Sequence, residues 1–461
     1  MGAGTIGIAR KQRVFAVEET TEGTLQQATA STFIRPAGNA VMNQNPAFSD
    51  SLEIVDSLDV MDQFQDAMPA GDWSLPMYIR CCSTLGSAPQ GDILWQSLQG
   101  SKNAATTASL SAALASTETT SLHIDQMSGG EFPEKGCVQV GSEYIYYASL
   151  TEDSTNSTAT LGTLTRGYHG SSQASAADNA DVTLKSVFYK QTTDTPSFSL
   201  WIETDHFTQG MSGCSVQQAV IGVTNSGGLM VTFTGGGMQM VWAGKDQLTD
   251  NTAPGGTTIT VSDADRFSAG AYIQNITQGH SRASQGYEID SVNTTTNVVT
   301  LSSAIEGAWA TDDYIQGFIV GGSLTGDTIE NKNTAVEIAG ASAQFKGTDL
   351  TISTPKEYLI DEVGVSYPDS FLENVRSITS TLGLYFRQED AKYFNEGYTG
   401  NEVTLLISFR DTNSYKRCEL YMPKVKLEVP AINMAPPAIE LNMPMKALGT
   451  SGEDSLEITF Q

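Results

Sequence analysis

The chain has 461 residues, of which 17% are charged and 8% aromatic, and 52 acidic against 25 basic residues give a formal net charge of −27. This length allows about three domains of ~150 residues each, and the acidity argues against nucleic-acid binding, because phosphate contacts require clustered Lys and Arg. No stretch approaches the ~18 consecutive apolar residues of a membrane span, and the N-terminus lacks the apolar core of a signal peptide, so we expect a cytosolic product.

The first hundred residues combine strand patterns with one short helix. Alternating apolar residues predict strands at Val14–Val17 and Trp73–Arg80. The segment ILWQSL predicts a short amphipathic helix over Ile93–Leu98, since Ile93, Leu94 and Leu98 lie near helical spacing. We expect this helix to cover a β-sandwich or to line an interface between subunits.

A long acidic loop, Asn43–Asp72, separates these strands. It contains seven Asp or Glu residues and no Lys or Arg. It also carries more apolar residues than a solvated tail requires, and these predict that the loop docks on a partner surface. The apolar residues on which this prediction depends are Phe48, Leu52, Leu58, Val60 and Phe64.

A small β-pattern then occurs twice, at Thr119–Leu184 and at Gly256–Ile319. The copies agree in the order and spacing of short alternating runs bounded by turn residues, with one residue slipping between a Phe and a Gly. The Ala/Ser/Thr-rich stretch Ala104–Thr120 reads as a linker. We therefore expect two inserted small β-domains, at 104–189 and 246–319, of which the second repeats the first.

The remaining pieces, 1–100, 190–245 and 320–461, read as one discontinuous domain. Two apolar runs around Asn225–Gly228 predict a hairpin, and Arg376–Arg387 predicts a long strand followed by a short helical segment at Glu389–Phe394. The prolines near the C-terminus favour an edge strand or a chain crossing a neighbour. The predicted fold class is all-β, mainly an antiparallel sandwich or barrel with one or two short helices.

No residue set in the sequence points to catalysis. The four histidines have no metal-ligand spacing, Gly235–Gly237 lacks the Lys-Ser/Thr of a phosphate-binding loop, and the five cysteines fit no zinc or redox motif. The acidic pairs Glu18-Glu19 and Asp312-Asp313 fit no calcium-loop pattern. We expect no enzyme activity, no cofactor and no bound metal.

Several core segments form a series of strand patterns in a fixed order along the chain. The segments are RVFAVEETTEGT, GDWSLPMYIR followed by GDILWQSLQG, SLWIETDHFTQGMSGCSVQQAVIGVTNSGGLMVTFTGGG, ELYMPKVKLEVP, PAIELNMPMKAL and EDSLEITF. In their order these segments resemble the major tail tube protein of long-tailed bacteriophages, and the resemblance covers roughly two-thirds of the chain.

The resemblance implies a structural virion protein that assembles in the bacterial host cytoplasm into stacked, six-membered rings. The rings would form a tube through which phage DNA passes transiently, without specific binding. Other tail proteins would be partners, with a tape measure inside and terminator and tip proteins at the ends, and no membrane would be involved. The loop Asn43–Asp72 would then contact a neighbouring subunit or ring, while the two inserts would project outward.

Two other readings remain open at the level of sequence. One is a different virion or surface protein, such as a head decoration or an adhesin, whose repeated modules bind glycans. Its motivation is the set of module tyrosines, Tyr144, Tyr146, Tyr147, Tyr272 and Tyr287. The other is a secreted carbohydrate-active enzyme, against which stand the missing export signal and the missing site.

Overall fold

A computed structural model gives the fold of the chain. It describes residues 9–54, 56, 58–81, 84–104, 106–125, 131–153, 155–282, 285–318, 320–324, 326–360, 362–410, 416–434 and 438–461. The described part is mostly β-structure with antiparallel strand pairing, which confirms the predicted all-β class. No helix within these residues is long and apolar enough to cross a lipid bilayer.

The N-terminal core piece contains seven strands and one α-helix. They are β1 (Arg13–Glu18), β2 (Phe33–Ile34), β3 (Val41–Asn43), β4 (Phe48–Asp50), β5 (Gln63–Gln65), β6 (Gly71–Tyr78), α1 (Asp92–Gln99) and β7 (Gly100–Asn103).

Six strands follow as a closed barrel, which we call module 1. They are β8 (Thr107–Leu110), β9 (Ser121–Asp125), β10 (Gly136–Val140), β11 (Glu143–Asp153), β12 (Thr158–Tyr168) and β13 (Asp181–Leu184). The segment expected to be a linker therefore supplies the first barrel strand. The linker prediction was wrong because Ala108 and Leu110 alternate with polar residues and are buried in the barrel, and Leu114 beyond the strand is buried as well.

The chain then returns to the core with five strands. They are β14 (Val187–Gln191), β15 (Phe198–Glu203), β16 (Thr208–Val223), β17 (Met230–Gly237) and β18 (Gln239–Ala243). The boundary expected at residue 189 falls inside β14, which pairs with the core strand β7.

Six further strands form module 2. They are β19 (Lys245–Gln247), β20 (Thr258–Thr260), β21 (Tyr272–Asn275), β22 (Tyr287–Asn293), β23 (Val298–Leu301) and β24 (Tyr314–Gly317). Their order is β19-β24-β21-β22-β23-β20, and a bridge between Leu248 and Val261 joins the two end strands.

The C-terminal piece contains eleven strands and the second α-helix. They are β25 (Ala335–Ile338), β26 (Ala341–Ala343), β27 (Thr348–Ser353), β28 (Lys356–Tyr358), β29 (Phe371–Glu373), β30 (Ser377–Tyr385), α2 (Lys392–Thr399), β31 (Glu402–Arg410), β32 (Arg417–Leu427), β33 (Ala431–Asn433), β34 (Glu440–Ala447) and β35 (Glu457–Phe460). Short 3-10 turns occur at Ala9–Lys11, Ala30–Thr32, Ala264–Arg266, Asn331–Asn333 and Gln388–Ala391.

The core consists of two sheets that share β16. The small sheet has the order β2-β1-β15-β16-β18. The large sheet runs β3-β6-β17-β16-β27-β30-β34-β32-β35-β14-β7. Strands β31, β25 and β26 continue this sheet from the edge of β32 that pairs with neither β34 nor β35. Gly213, at φ +60°, lies where β16 leaves one sheet for the other. A Cβ atom at Gly213 would lie 2.3 Å from Met238, so both the positive φ and the lack of space require glycine here.

The small sheet is buried on both faces. Leu200 and Ile202 of β15 pack into the main core, whereas Trp201 packs into the core of module 2, so the two faces of this strand are buried in different cores. Phe15 of β1 joins Trp201 on the module 2 side. Module 2 and the small sheet therefore share one continuous hydrophobic core.

The two modules have the same strand connectivity. In module 1 the pairs run β8-β9-β12-β11-β10-β13 and back to β8, and in module 2 the corresponding order is β19-β20-β23-β22-β21-β24 and back to β19. When the two modules are aligned by strand register, Val138 corresponds to Ile273 and Gly136 to Ala271. Phe132 then corresponds to Phe267, so the one-residue slip predicted between the Phe and the Gly does not occur.

The C-terminal prolines mark an edge in one strand and not in another. Strand β33, which follows Pro430, pairs with β34 alone among the described residues, whereas β34, which contains Pro444, pairs with β30 on one side and with β32 and β33 on the other. The edge prediction is wrong for β34 because only the N–H of Pro444 is lost from the ladder, and its carbonyl still accepts a 2.9 Å bond from the Glu428 N–H. Pro436 and Pro437 lie outside the described residues.

Candidate assembly interface

The acidic loop folds into a hairpin that stands away from the core. Strands β4 and β5 pair with each other alone, with Ser49 opposite Phe64. At its root, Gln44 donates to the carbonyls of Pro69 and Met238 at 2.8 and 2.7 Å. The root is thus fixed, whereas the two strands have no third strand beside them.

The five residues predicted to dock all lie on this hairpin with their side chains exposed. Leu52 and Leu58 are 94% and 106% exposed, and Phe48, Val60 and Phe64 are each more than half exposed. Ile54 and Met61 are exposed as well. Together these seven form what we call the hairpin patch. Apolar side chains in water contribute nothing to the fold of this chain, so the patch requires an explanation outside it.

A second group of exposed apolar residues lies around β33, β34 and α2. Helix α2 packs closely there, since a side chain at Gly397 would meet the backbone of Glu428 and Val429 at 2.7 Å. We call this group the C-terminal patch, and its members are Tyr385, Phe386, Tyr398, Val429, Ile432, Met434 and Ile439.

Exposed large apolar side chains are concentrated on the core. Of the 25 such residues in the described part of the chain, none lies in module 1, and two, Ile276 and Tyr314, lie in module 2. Among the described residues, exposed large apolar side chains are therefore a feature of the core and almost absent from the modules.

The face of the large sheet that points away from the core carries rows of small, mostly polar residues. In-register rows cross neighbouring strands, with Ser74, Thr234, Gln218 and Ser353 in one row and Thr232, Val220, Thr351 and Thr379 in the next. The second row continues to Lys446 of β34 and Lys426 of β32. A shallow groove of about 840 Å³ extends over β27, β30 and β34 at this end of the face, and both acidic and basic side chains line it.

Helix α1 is not on the surface. Ile93, Leu94 and Leu98 are all buried in the main core, so they contribute to packing within the chain and cannot reach another subunit. Trp95 completes the contact, with ring centroids 4.9 Å from Phe233. Four apolar residues on an eight-residue helix leave little of it exposed, which is why an amphipathic reading underestimated its burial.

A buried lysine ties the hairpin β28–β29 to α1. Lys356 Nζ donates to the Ser97 carbonyl at 3.1 Å and lies 4.0 Å from the Glu373 carboxylate. Burial lowers the pKa of Lys356 to about 8, although Glu373 opposes the shift. Sequence reasoning missed this residue because a lone Lys in a short strand is ordinarily exposed.

Module 1 is joined to the core by a buried polar network. Tyr146 donates to the Glu419 carboxylate at 3.1 Å, and Ser408 and Gln461 donate to the same group. The Arg417 guanidinium lies 4.1 Å from the Tyr146 ring centroid. Burial, reinforced by Glu419, raises the pKa of Tyr146 well above its usual value. Module 1 is therefore fixed to the core rather than carried on a free tether.

A second buried carboxylate lies at the same junction. Glu457 accepts the Glu134 N–H at 2.8 Å and lies 3.5 Å from Lys190 Nζ. Burial raises the pKa of Glu457 to about 7, and Lys190 only partly opposes this shift.

The module tyrosines do not form a shared exposed platform. Tyr146, Tyr147 and Tyr287 are buried, and Tyr144 and Tyr272 are half-buried. Within the described residues, no group of three or more His, Cys, Asp or Glu side chains is placed to hold a metal ion. Cys81, Cys137, Cys214 and Cys418 are buried, and Cys82 lies outside the described residues.

Comparison with protein-family models gave no match, and a search of curated proteins gave no significant match.

Proposed function

We propose that this chain is a structural subunit that assembles with copies of itself into stacked rings, and that the rings form the tail tube of a long-tailed bacteriophage. The observation that carries the proposal is the distribution of exposed apolar side chains. They cover the discontinuous core, above all the hairpin patch and the C-terminal patch, and are almost absent from the modules. Such a distribution suits a core that is buried by neighbouring copies.

The hairpin is the candidate contact between rings. It combines apolar side chains with acidic ones and emerges from a fixed root, so it can reach beyond its own subunit. Closed rings limit growth sideways, whereas head-to-tail stacking is open-ended and produces a tube. Six subunits per ring is the number that the family resemblance implies.

The polar face of the large sheet is the candidate lining of the channel. Its in-register rows consist mainly of Ser, Thr and Gln and end at Lys446 and Lys426, while a net charge of −27 per chain repels DNA at short range. DNA would then pass without binding. The modules would lie outside the tube, where their solvated surfaces need no partner.

Electron microscopy of the purified protein tests this proposal directly. Negative-stain images of concentrated protein should show hollow tubes of uniform diameter, and native mass spectrometry should detect a ring species of six times the 49.2 kDa chain mass. Protein that stays monomeric at every concentration, also in the presence of preformed phage tail tips, would contradict the proposal. Closed particles without a channel would instead favour a different virion structure.

A further inference from the structure

A groove of about 1190 Å³ lies where module 2 meets the core. Its walls come from the root of the β4–β5 hairpin, the segment before β16, strands β18 and β19, and the end of β24. None of the residues that the sequence predicts to be assembly contacts lines this groove. Its chemistry differs from that of the hairpin patch, because aromatic rings and polar side chains alternate along its surface.

Three aromatic residues line the groove with accessible rings. Tyr314 is 44% exposed, Phe207 is 37% exposed and Trp242 is half-buried. The other four tryptophans of the chain are all buried. Lys245 Nζ lies 5.0 Å from the Tyr314 ring centroid and holds that ring in place. Exposed, fixed rings offer flat apolar faces on which the C–H face of a sugar ring can stack.

Polar groups beside the rings have no partner within the described part of the chain. Both ring nitrogens of His206 lack a hydrogen-bond partner there. Within the described residues, the carboxylate of Asp265 likewise makes no hydrogen bond or salt bridge. The carboxylate of Asp246, in contrast, accepts hydrogen bonds from Arg266 and from the Asp263 N–H. The Asp265 carboxylate is thus available to bind hydroxyl groups of a ligand, whereas the unpartnered His206 nitrogens are buried in the groove wall.

The groove is balanced in charge, unlike the chain as a whole. Lys245 and Arg266 offset Asp246 and Asp265. A phosphate-bearing ligand would find no net positive charge here, and neither would the acidic hairpin of a second copy. A neutral, hydroxyl-rich ligand avoids both costs.

The groove is also preformed. Backbone bonds join its two sides, from the Gly244 N–H to the Arg266 carbonyl at 2.8 Å and from the Gly317 N–H to the Gly244 carbonyl at 3.1 Å. The Trp242 N–H donates to Ser268 Oγ at 2.6 Å. A ligand would therefore lose little affinity to ordering the protein.

We propose that this groove binds a neutral oligosaccharide whose ring substituents are mostly equatorial, stacking on Trp242 and Tyr314 and hydrogen-bonded by Asp265. Equatorial substitution leaves flat C–H faces on each sugar, which is what two separated aromatic rings can accept. This inference does not depend on tube assembly, since the groove is complete within one chain.

Tryptophan fluorescence of the full-length protein tests the proposal, with the N-acetylglucosamine trimer and cellotriose, both β-1,4-linked, as probes. Because Trp242 is the accessible tryptophan, binding should shift the emission spectrum, with half-saturation expected near ~1 mM for either probe. Trp242→Ala removes the fluorescent reporter, so its binding is measured by saturation-transfer NMR; it should be weaker by about tenfold or more, which is the loss expected for removing one stacking ring. Tyr398→Ala, an exposed aromatic on α2, is the matched control and should bind as the wild type does.

Saturation-transfer NMR with the same probes measures binding independently of tryptophan emission. Asp265→Asn should weaken binding while leaving the melting temperature of the protein unchanged. Absence of binding by both methods at ~10 mM of either probe, a concentration well above that half-saturation, would overturn the proposal. Unchanged binding by Trp242→Ala would overturn it too, whether or not that variant assembles.

Discussion

Replacing Leu58, Val60 and Phe64 of the hairpin patch together with Ser should abolish tube assembly and leave the monomer folded. Complete burial of a Leu, Val or Phe side chain contributes about 1.5–3 kcal/mol. Leu58 has its whole side chain available for a partner, and Val60 and Phe64 have somewhat more than half. Burial of all three against a neighbour would then contribute roughly 4 kcal/mol per subunit, so the substitutions should weaken each contact by about 10³-fold.

The same exposure predicts that the monomer is unaffected. Exposed residues without internal partners change stability by no more than about 0.5 kcal/mol when substituted. The free energy of unfolding from urea denaturation of the triple variant should therefore equal that of the wild type within this margin. Ile276→Ser, on module 2, removes an exposed apolar residue from a surface that we place outside the contacts, and it serves as the control for assembly.

The assay is the protein concentration at which tubes first appear, measured by sedimentation and checked by negative-stain microscopy. Wild-type protein and Ile276→Ser should share one threshold, and the triple variant should form no tubes at any accessible concentration. Tubes of the triple variant at the wild-type threshold would refute the role of the hairpin. Loss of the monomer fold would refute the reasoning from exposure.

Three further predictions concern the core and its junction with module 1. Tyr146→Phe should lower the free energy of unfolding by about 1 kcal/mol in urea, because Glu419 loses one donor, whereas Tyr144→Phe should change it little. Glu457 has a raised pKa of about 7 in the folded protein, so it keeps its proton to a higher pH than in the unfolded chain. The free energy of unfolding should therefore fall as pH rises from about 4.5 to 7, by up to about 3 kcal/mol. Glu457→Gln should remove this part of the pH dependence, and parallel curves of unfolding free energy against pH for both proteins would contradict it. Leu98→Ala should cost about 2–5 kcal/mol by chemical denaturation, since it leaves a cavity in the main core, and a loss below 1 kcal/mol would place α1 outside that core.

Most of the fold could be read from alternation and turn chemistry. Strand β15 shows why, because its apolar residues alternate between two cores and the pattern survives even though the whole strand is buried. Two segments failed for opposite reasons. The start of module 1 has too few large apolar residues to stand out from a linker, and the proline in β34 suggested an edge although a single lost N–H is tolerated inside a sheet.

The candidate interface was predictable in part. The five docking residues could be found from sequence because apolar side chains recur in an acidic loop that has no basic residue. The polar face and the groove beside Trp242 could not, since both are formed by strands far apart in the chain. Whether a given Thr or Trp faces solvent depends on strand register and on which module covers it, and neither can be read from local pattern.

The attachment of module 1 has a consequence for how such a domain is acquired or exchanged. The chain leaves the core at the end of β7 and re-enters it at the start of β14, and these two strands pair, with Asn103 opposite Phe188. Departure and return are therefore neighbours, and a foreign domain whose own termini lie close together could replace the barrel without parting the strands beneath it. The polar contact between Tyr146 and Glu419 would have to change with it. A replacement domain therefore needs a complementary contact surface on the core as well as closely spaced termini.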